Sequence, residues 1–299
     1  MNHPSDVTGS VPQISGLQAP GYYRLTAGDA TITAISDGAL KMPLDKLLTN
    51  ISPEKVAQRM ALAAMTPETD VSVNAFVVDT GEQRILIDTG AGQLPGYTGG
   101  HLQDNLRAAG YPPESIDLVL LTHIHSDHFG GLTLNGTPVF PNAQVKVSQE
   151  DARYWLDRDN FDDIPESRHR SFHNAQQVME RVRAAGQLQT FDLPAQVHPL
   201  IRALPAPGHT PGSVVYLLES GADKVLFWGD IIHAEPVQMQ EPHVAIQFDI
   251  DQNQAIRTRE TVLAETAREG YLVGAAHIAF PGIGRVVRSG EGYRWIAVS

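Results

Sequence analysis

The chain has 299 residues, of which 42% are hydrophobic and 19% charged, and its formal net charge is −12 at pH 7. This composition is typical of a globular protein with a substantial core, and the negative charge argues against a nucleic-acid partner. The charge favours small neutral substrates unless a local cationic pocket overrules it. The sequence contains no cysteine, which excludes disulfides and thiolate metal sites, so metal ligands must be nitrogen or oxygen atoms.

The sequence predicts neither a membrane segment nor a secretory signal. No stretch approaches the roughly 18 apolar residues that a spanning helix needs, and the first residues are polar and contain proline. We therefore expect no membrane partner and a cytoplasmic protein, or a periplasmic or secreted one if a leader preceded this sequence. Residues 1–20 are expected to form a flexible arm, and residues 21–299 a single domain.

The first half of the chain alternates β-rich runs with helical patterns. Strands are predicted at residues 30–35, 71–79, 84–88 and 116–121, and helices at residues 52–64 and 101–109. Ser52 followed by Pro53 has the pattern of a helix N-cap and first turn. The run Thr80-Gly81-Glu82-Gln83 is typical of a hairpin between two strands.

The second half repeats this plan. Strands are predicted at residues 201–204, 213–218, 224–228 and 271–275, a long helix at 253–269, and a closing hairpin at 285–287 and 293–298. Residues 148–185, between the halves, are predicted to be an insertion of two helices joined by a polar, acidic loop. Strands and helices that alternate twice predict an α/β fold with helices on the outer faces of its sheets.

Metal-ligand residue types cluster directly after the predicted strand at 116–121. The run His123-Ile124-His125-Ser126-Asp127-His128 places three imidazoles and a carboxylate in six positions. Such crowding is costly unless a cation compensates it, and this ligand set suits zinc, manganese, iron or cobalt. Further candidates are His209 in a Gly/Pro-rich loop, and Asp230 and His277 directly after predicted strands, where side chains can converge on one point.

Together, His-x-His-x-Asp-His, Gly-His-Thr-Pro-Gly, Gly-Asp and a late histidine resemble the signature of the metallo-β-lactamase superfamily. The resemblance implies an αββα sandwich of two mixed sheets with helices on the outer faces. It also implies two divalent metal ions, with zinc expected first. In that scheme one metal is held by His123, His125 and His209, the other by Asp127, His128 and His277, with Asp230 bridging both.

A dinuclear centre predicts hydrolysis, with Asp127 and Asp230 as catalytic residues. Two neighbouring cations lower the pKa of a bridging water to give hydroxide, and they polarise the bond that is attacked. Two other classes of protein fit the sequence less well. The complete ligand set argues against a non-catalytic metal-binding or regulatory protein, and the net charge argues against a nuclease.

Much of the chain also resembles methyl parathion hydrolase and its lactonase and arylesterase relatives. The matching stretches are residues 19–24, 35–38, 87–91, 209–212 and 280–284. The resemblance implies a homodimer and one centre that handles lactones, aryl esters and phosphotriesters. We expect an enzyme that opens lactones or aryl esters with promiscuous organophosphate hydrolysis. The alternatives are a genuine organophosphate hydrolase and an acyl-homoserine lactonase.

His233 lies three residues after Asp230, where the resemblance places a tyrosine in acyl-homoserine lactonases and an aliphatic residue in methyl parathion hydrolase. A polar donor there could orient a lactone carbonyl or protonate the departing alkoxide, or it could simply hydrogen-bond a metal ligand. By the same resemblance, Trp155 and Phe172 are predicted to form an aromatic pocket wall. Ile246 and Phe248 are predicted to add apolar lining.

Overall fold

Two large β-sheets, two short two-stranded sheets and the covering helices make up the described part of the chain, residues 19–93 and 97–298 of a computed structural model. The strands are β1 (Tyr22–Ala27), β2 (Ala30–Pro43), β3 (Leu48–Thr49), β4 (Glu68–Asp79), β5 (Arg84–Ile87), β6 (Thr98–Gly99), β7 (Leu118–Leu120), β8 (Thr133–Leu134), β9 (Thr137–Pro138), β10 (Gln144–Ser148), β11 (Leu188–Phe191), β12 (Ala195–His198), β13 (Ile201–Pro205), β14 (Val214–Ser220), β15 (Asp223–Phe227), β16 (Ala245–Ile246), β17 (Leu272–Gly274), β18 (Ile283–Ser289) and β19 (Gly292–Ala297). The α-helices are α1 (Leu44–Leu47), α2 (Pro53–Leu62), α3 (Leu102–Ala108), α4 (Ser126–Phe129), α5 (Gln149–Leu156), α6 (His169–Ala184), α7 (Glu235–Gln238) and α8 (Gln252–Glu269). Short 3₁₀ helices cover Pro113–Ser115, Gly130–Leu132, Arg158–Asp163, Glu166–Arg168 and Gly229–Ile231.

The first half of the chain forms one mixed sheet. Its strand order is β1-β2-β4-β5-β7-β10-β11, and β6 pairs with β2. The neighbouring strands β1, β2, β4 and β5 pair antiparallel, whereas β5, β7, β10 and β11 run parallel to one another. The second half forms a sheet in the order β12-β13-β14-β15-β17-β18-β19, in which only β15 and β17 pair in parallel. The two short sheets consist of β3 with β16 and of β8 with β9.

The two sheets pack face to face because their strands carry apolar side chains on both sides. On β4, Phe76 and Val78 enter the core between the sheets, while Ala75 and Val77 face the helices. On β14, Tyr216 faces the same inter-sheet core. Successive strand residues point to opposite faces, so apolar side chains are buried on both faces of each sheet. A layer of α3, α5 and α6 covers the first sheet, and α8 covers the second.

This arrangement is the αββα sandwich of two mixed sheets, and it confirms the predicted fold class. Local signals were also correct: the Ser52 side chain accepts a hydrogen bond from Lys55 N, and β4 and β5 form the expected hairpin. Two bounds differ. The strand predicted at 30–35 continues to Pro43, and the one predicted at 116–121 is only Leu118–Leu120.

The predicted helical insertion contains α5 and α6, and the acidic segment between them forms two 3₁₀ helices. Most of the predicted arm, residues 1–18, lies outside the described residues, and the single-domain organisation stays a prediction. In the described part of the chain, no helix combines the length and apolar character that crossing a membrane requires.

Candidate metal centre

All seven predicted ligand side chains meet at one end of the sandwich. The first four follow the end of β7, and His209 lies in the loop between β13 and β14. Asp230 follows β15, and His277 follows β17. Because β15 and β17 are parallel neighbours, their carboxyl ends bring these last two residues to the same edge of the sheet.

The ligand atoms form two groups. In the first group, His125 Nδ1 lies 3.0 Å from His123 Nε2 and 2.8 Å from His209 Nε2. In the second group, Asp127 Oδ2 lies 3.7 Å from His128 Nε2 and 3.4 Å from His277 Nε2. Each group could hold one metal ion.

Asp230 lies between the two groups. Its Oδ2 atom is 3.0 Å from His209 Nε2 and 3.6 Å from His123 Nε2. Its Oδ1 atom is 3.0 Å from His128 Nε2 and 3.1 Å from His277 Nε2. One carboxylate oxygen therefore faces each group, which is the geometry that a bridging ligand requires.

The spacing of these atoms fits divalent metal ions. Tetrahedral zinc with Zn–N bonds of about 2.0–2.1 Å places its ligand atoms roughly 3.3 Å apart. The separations given above lie close to that value. His128 Nε2, His277 Nε2 and Asp230 Oδ1 are buried, and although both nitrogens lie within 3.1 Å of that oxygen, none of the three atoms makes a well-directed hydrogen bond among the described residues. Buried polar atoms left in this way are costly, and bound cations would satisfy all three.

A second set of contacts orients the imidazoles. The Nδ1 atoms of His209 and His128 each lie 2.8 Å from a carboxylate, that of Asp249 and Asp88 respectively. His277 Nδ1 donates to the Ser72 carbonyl, also at 2.8 Å. Each contact fixes the proton on Nδ1, so the Nε2 lone pair points to the centre, as ligating histidines in metalloproteins commonly do.

The pKa values of the ligand histidines shift in opposite directions. Burial, reinforced by neighbouring histidines, holds the pKa of His123 and of His125 well below the usual range. Burial also acts to lower the pKa of His209, but the Asp230 and Asp249 carboxylates outweigh it and raise that pKa to about 9. Metal ions bind neutral imidazole, so they would compete with the proton at His209 but not at His123 or His125.

Close backbone contacts fix the loops that carry the ligands. A Cβ at Gly208 would lie 2.2 Å from the Ala255 backbone nitrogen, so glycine lets the His209 loop touch α8. Gly229 has a φ of +55° and lies against Thr122, which brings the Asp230 loop to the first motif. Asp88 has a φ of +58°, a left-handed conformation that aspartate tolerates better than most residues.

His233 contacts the centre through Asp230. Its Nε2 atom lies 3.0 Å from Asp230 Oδ2, and its ring stacks on His277 with centroids 5.1 Å apart. Burial lowers the pKa of His233, so the ring is neutral at pH 7 despite the nearby Asp230 carboxylate. Its Nδ1 atom is buried without a partner among the described residues. This contact agrees with the reading of His233 as a hydrogen-bonding neighbour of a ligand, and the residue also lines the cavity described next.

A cavity of about 430 Å³ opens directly onto the centre. The residues that line it are Leu40, Met42, His125, Ser126, Asp127, Trp155, Ser167, Arg168, Arg170, Ser171, His209, Asp230, His233, Gln247 and Phe248. Trp155 lies against His125, with ring centroids 5.2 Å apart, and Phe248 is 38% exposed. These two aromatics occupy the positions expected of pocket lining.

Two other expected lining residues lie outside the cavity walls. Phe172 is fully buried behind Trp155, with ring centroids 4.6 Å apart, in the core between the first sheet and its helices. Ile246 is fully buried among the side chains around α2 and α7. The prediction that they line the pocket was therefore wrong, because both face the inside of the structure. Leu40 and Met42 supply the apolar lining instead.

The residues that orient the ligands carry no clear signal in the sequence. Asp88 falls at the end of a predicted strand, and Asp249 belongs to none of the sequence motifs. Asp249 also accepts a hydrogen bond from Ile246 N and lies 3.6 Å from the buried Arg259 guanidinium. Asp37 lies in one of the stretches that match methyl parathion hydrolase. Its carboxylate accepts hydrogen bonds from Ala91 N and Leu102 N, which connect β2 to the segment after β5.

Comparisons with solved structures show the same architecture. A hydrolase of the beta lactamase superfamily, AbOPH, superposes with a TM-score of 0.90 and 34% identity, covering 95% of this chain and 99% of that one. A dizinc quorum-quenching lactonase, AidC, superposes with a TM-score of 0.87 and 25% identity, covering 93% of this chain and 98% of that one.

Sequence comparison finds relatives of wider function. An atrochrysone carboxyl ACP thioesterase from Passalora fulva is 29% identical over 53% of this chain and 38% of its own length. A beta-lactamase-like protein 2 homolog from Drosophila melanogaster is 32% identical over 54% of this chain and 47% of its own length. The chain thus spans less than half of either relative. The family model of the metallo-beta-lactamase superfamily matches residues 69–277, and the chain belongs to that superfamily.

Proposed function

We propose that the protein is a dinuclear metal-dependent hydrolase that opens lactones or cleaves aryl esters. The observation that carries the proposal is the position of Asp230. Its two oxygens face two separate groups of ligand atoms, and the same carboxylate lines the cavity. When bound, two divalent ions supply a nucleophile from water at neutral pH and polarise the oxygen of the bond under attack.

The chain's own residues would position the substrate. Leu40, Met42, Trp155 and Phe248 offer apolar surface for an acyl chain or an aryl ring. The cavity volume of about 430 Å³ lies within the range of roughly 300–1,000 Å³ of small-ligand pockets. His233 lies at the wall beside Asp230, and its single N–H can donate a hydrogen bond to a carbonyl or to a departing alkoxide when it is released from Asp230 Oδ2.

The relatives support an ester-like substrate. AidC is named a lactonase and was solved with a product bound, and its fold covers nearly the whole of this chain. We expect phosphotriester hydrolysis only as a side activity, because a polar His233 stands where the methyl parathion hydrolase resemblance places an aliphatic residue. We also infer zinc as the first metal to test. The homodimer implied by that resemblance stays a prediction that sedimentation velocity can check.

A thioester is a second candidate substrate. Two curated relatives are named ACP thioesterases, and others acyl-coenzyme A thioesterases. Attack on a thioester carbonyl needs the same polarised oxygen and the same nucleophile as attack on an ester. The same centre can therefore serve both bonds.

One panel of substrates tests the proposal. Zinc- or manganese-loaded protein would be assayed with dihydrocoumarin, an acyl-homoserine lactone, a phenyl ester, an acyl thioester and a methyl phosphotriester. We expect the largest kcat/KM for a lactone or ester and the smallest for the phosphotriester. A larger value for the phosphotriester would indicate an organophosphate hydrolase. No turnover of any member by metal-replete protein would indicate a non-catalytic metal-binding protein.

A further inference from the structure

We propose that Arg168 and Arg170 form an anion-binding subsite in the catalytic cavity, so that the preferred substrate carries a carboxylate or phosphate away from the bond that is cleaved. This inference rests on the proposed hydrolytic function and narrows its substrate class. It also reverses the expectation from net charge alone, which favoured neutral substrates.

The two arginines belong to the segment where the Glu166–Arg168 3₁₀ helix leads into α6. Ser167, Arg168, Arg170 and Ser171 all line the cavity that also contains His125, Asp127, His209 and Asp230. A substrate held at the metal centre is therefore enclosed by the same walls as the arginines. Guanidinium groups bind carboxylate and phosphate oxygens through paired N–H donors, and the serine hydroxyls add two further donors.

Arg168 is held in place by the pocket wall. Its Nη2 atom donates to the Asp249 carbonyl oxygen at 3.3 Å, and the adjacent Phe248 lines the cavity. The side chain is half-buried and already partly ordered, so it loses less conformational entropy when a substrate binds. A guanidinium has five N–H donors, so this single bond leaves most of them for a ligand.

Arg170 is exposed and has no carboxylate within 4.0 Å among the side chains that the structure describes. Arg170 therefore lines the cavity without an ion pair among the described side chains. The first turn of α6 contains no acidic residue either. Glu166 lies in the 3₁₀ turn before that helix end, so the partial positive charge of the helix end is offset only in part.

The local charge differs in sign from that of the whole chain. Among the described residues lining the cavity, the acidic side chains are Asp127 and Asp230, and both face the metal ligands. Bound divalent ions would more than offset these two carboxylates. The net charge of −12 is spread over the chain, and charges beyond a screening length of about 8 Å are largely masked at physiological salt. An anion inside the cavity therefore meets mainly positive charge.

Matched substrate pairs test this subsite in the metal-loaded protein. The carboxylate pair is phenyl butyrate and monophenyl glutarate. The phosphate pair is hexanoyl-pantetheine and hexanoyl-4′-phosphopantetheine, which places the charge on the leaving group. Within each pair the reacting bond is unchanged, so the ratio of kcat/KM values, anionic over neutral, isolates recognition of the charge.

Three variants accompany the substrates. Arg170→Gln removes the exposed guanidinium, Arg170→Lys restores the charge, and Arg181→Gln removes a charge from the far end of the same helix, about 16 Å along its axis. We expect the anionic preference in at least one pair to fall about tenfold in Arg170→Gln, as for loss of a charge-assisted hydrogen bond. Arg170→Lys should recover part of it, and Arg181→Gln should leave it unchanged.

A binding measurement gives a readout that does not depend on turnover. Glutaranilic acid and butyranilide are the amide counterparts of the carboxylate pair, and calorimetry can compare their affinities. The wild type should bind the anionic amide more tightly, and Arg170→Gln should remove that difference. The pair of substrates that shows the preference identifies carboxylate or phosphate as the source of the charge.

The subsite proposal is overturned if neither substrate pair nor the amide pair shows an anionic preference that depends on Arg170. Failure of the hydrolytic proposal has a different signature, namely no turnover of neutral or anionic members by metal-replete protein. The Arg168→Gln variant gives a second test, provided that its metal content matches that of the wild type. An unchanged preference in that variant as well would exclude both arginines.

Discussion

The two nitrogens of His209 contact carboxylates on opposite sides of the ring. Nδ1 lies 2.8 Å from Asp249 Oδ1, and Nε2 lies 3.0 Å from Asp230 Oδ2. The buried Arg259, which donates to the Ile231 and Val244 carbonyl oxygens, lies beside Asp249. Charged and polar side chains thus contact one another in a row from α8 to the candidate metal centre, and these contacts fix the orientation of His209.

Replacement of Asp249 by asparagine should weaken metal binding and also lower stability, because the buried Arg259 loses the charge of its carboxylate partner. The amide keeps the shape of the side chain but loses the charge that makes His209 a better ligand, so we expect metal affinity to fall roughly tenfold. Competition with a chromophoric chelator measures the affinity. Asp192→Asn, at an exposed site, is the control. Equal affinity in both variants would show that Asp249 does not support the ligand.

His233 should affect the choice of substrate more than the metal content. His233→Leu removes the polar group beside Asp230, so we expect kcat/KM for lactone opening to fall relative to that for phosphotriester hydrolysis. A decrease of about tenfold in that ratio is the expected size for one hydrogen bond to a charge that develops in the transition state. An unchanged ratio would remove His233 from the chemistry and leave it a structural neighbour of Asp230.

Phe172 and Phe248 should behave in opposite ways when changed to alanine. Phe172 is fully buried, so its loss should lower the free energy of unfolding by about 3–5 kcal/mol. Phe248 is 38% exposed in the cavity, so its loss should cost about 1 kcal/mol or less but raise KM for aryl substrates. Denaturant unfolding and steady-state kinetics separate the two effects. Similar stability losses would contradict the assignment of Phe248 to the pocket.

Glu241 links stability to pH. Burial raises the pKa of Glu241, but hydrogen bonds from Lys55 and Arg59 outweigh it and hold that pKa below its usual range. A group whose pKa is lower in the folded state than in the unfolded state stabilises the protein at pH values above its unfolded-state pKa. That stabilisation is lost as pH falls through the folded-state pKa. Glu241→Gln should therefore cost about 1–2 kcal/mol at pH 7, and the difference should shrink below about pH 4.5.

The matched control is Glu219→Gln. Glu219 also pairs with two basic residues, Arg202 and Lys224, but its side chain is 37% exposed. Exposed ion pairs contribute little, so we expect less than about 1 kcal/mol there. A Glu241 effect of the same size at pH 7 and at pH 4 would show that the ion pairs are not its cause.

Much of the architecture was predictable because its signals are local. Ser52 caps α2 through residues three positions away, and the turn after Asp79 fixes the β4–β5 hairpin. The strands β10 and β11 were missed, since each is short and depends on parallel pairing with distant strands. Periodicity within a window cannot report such pairing.

The candidate site also has a part that local motifs predict and a part that they do not. The ligand histidines and aspartates stand in compact motifs, and resemblance gave their order along the chain. Asp88 and Asp249 could not be found from motifs, because each orients a histidine 40 positions away in sequence. Phe172 was misassigned because the helical pattern does not say which of two neighbouring aromatics faces the cavity and which faces the core.

Zinc titration of metal-free protein, wild type and Asp230→Asn, tests the dinuclear centre most directly. Bound zinc and ester or lactone turnover would be measured on the same samples. We predict that wild-type activity rises to a plateau at two zinc ions per chain, and that the variant binds less zinc and loses turnover. Full activity in metal-free protein, or normal zinc content and turnover in Asp230→Asn, would contradict this account.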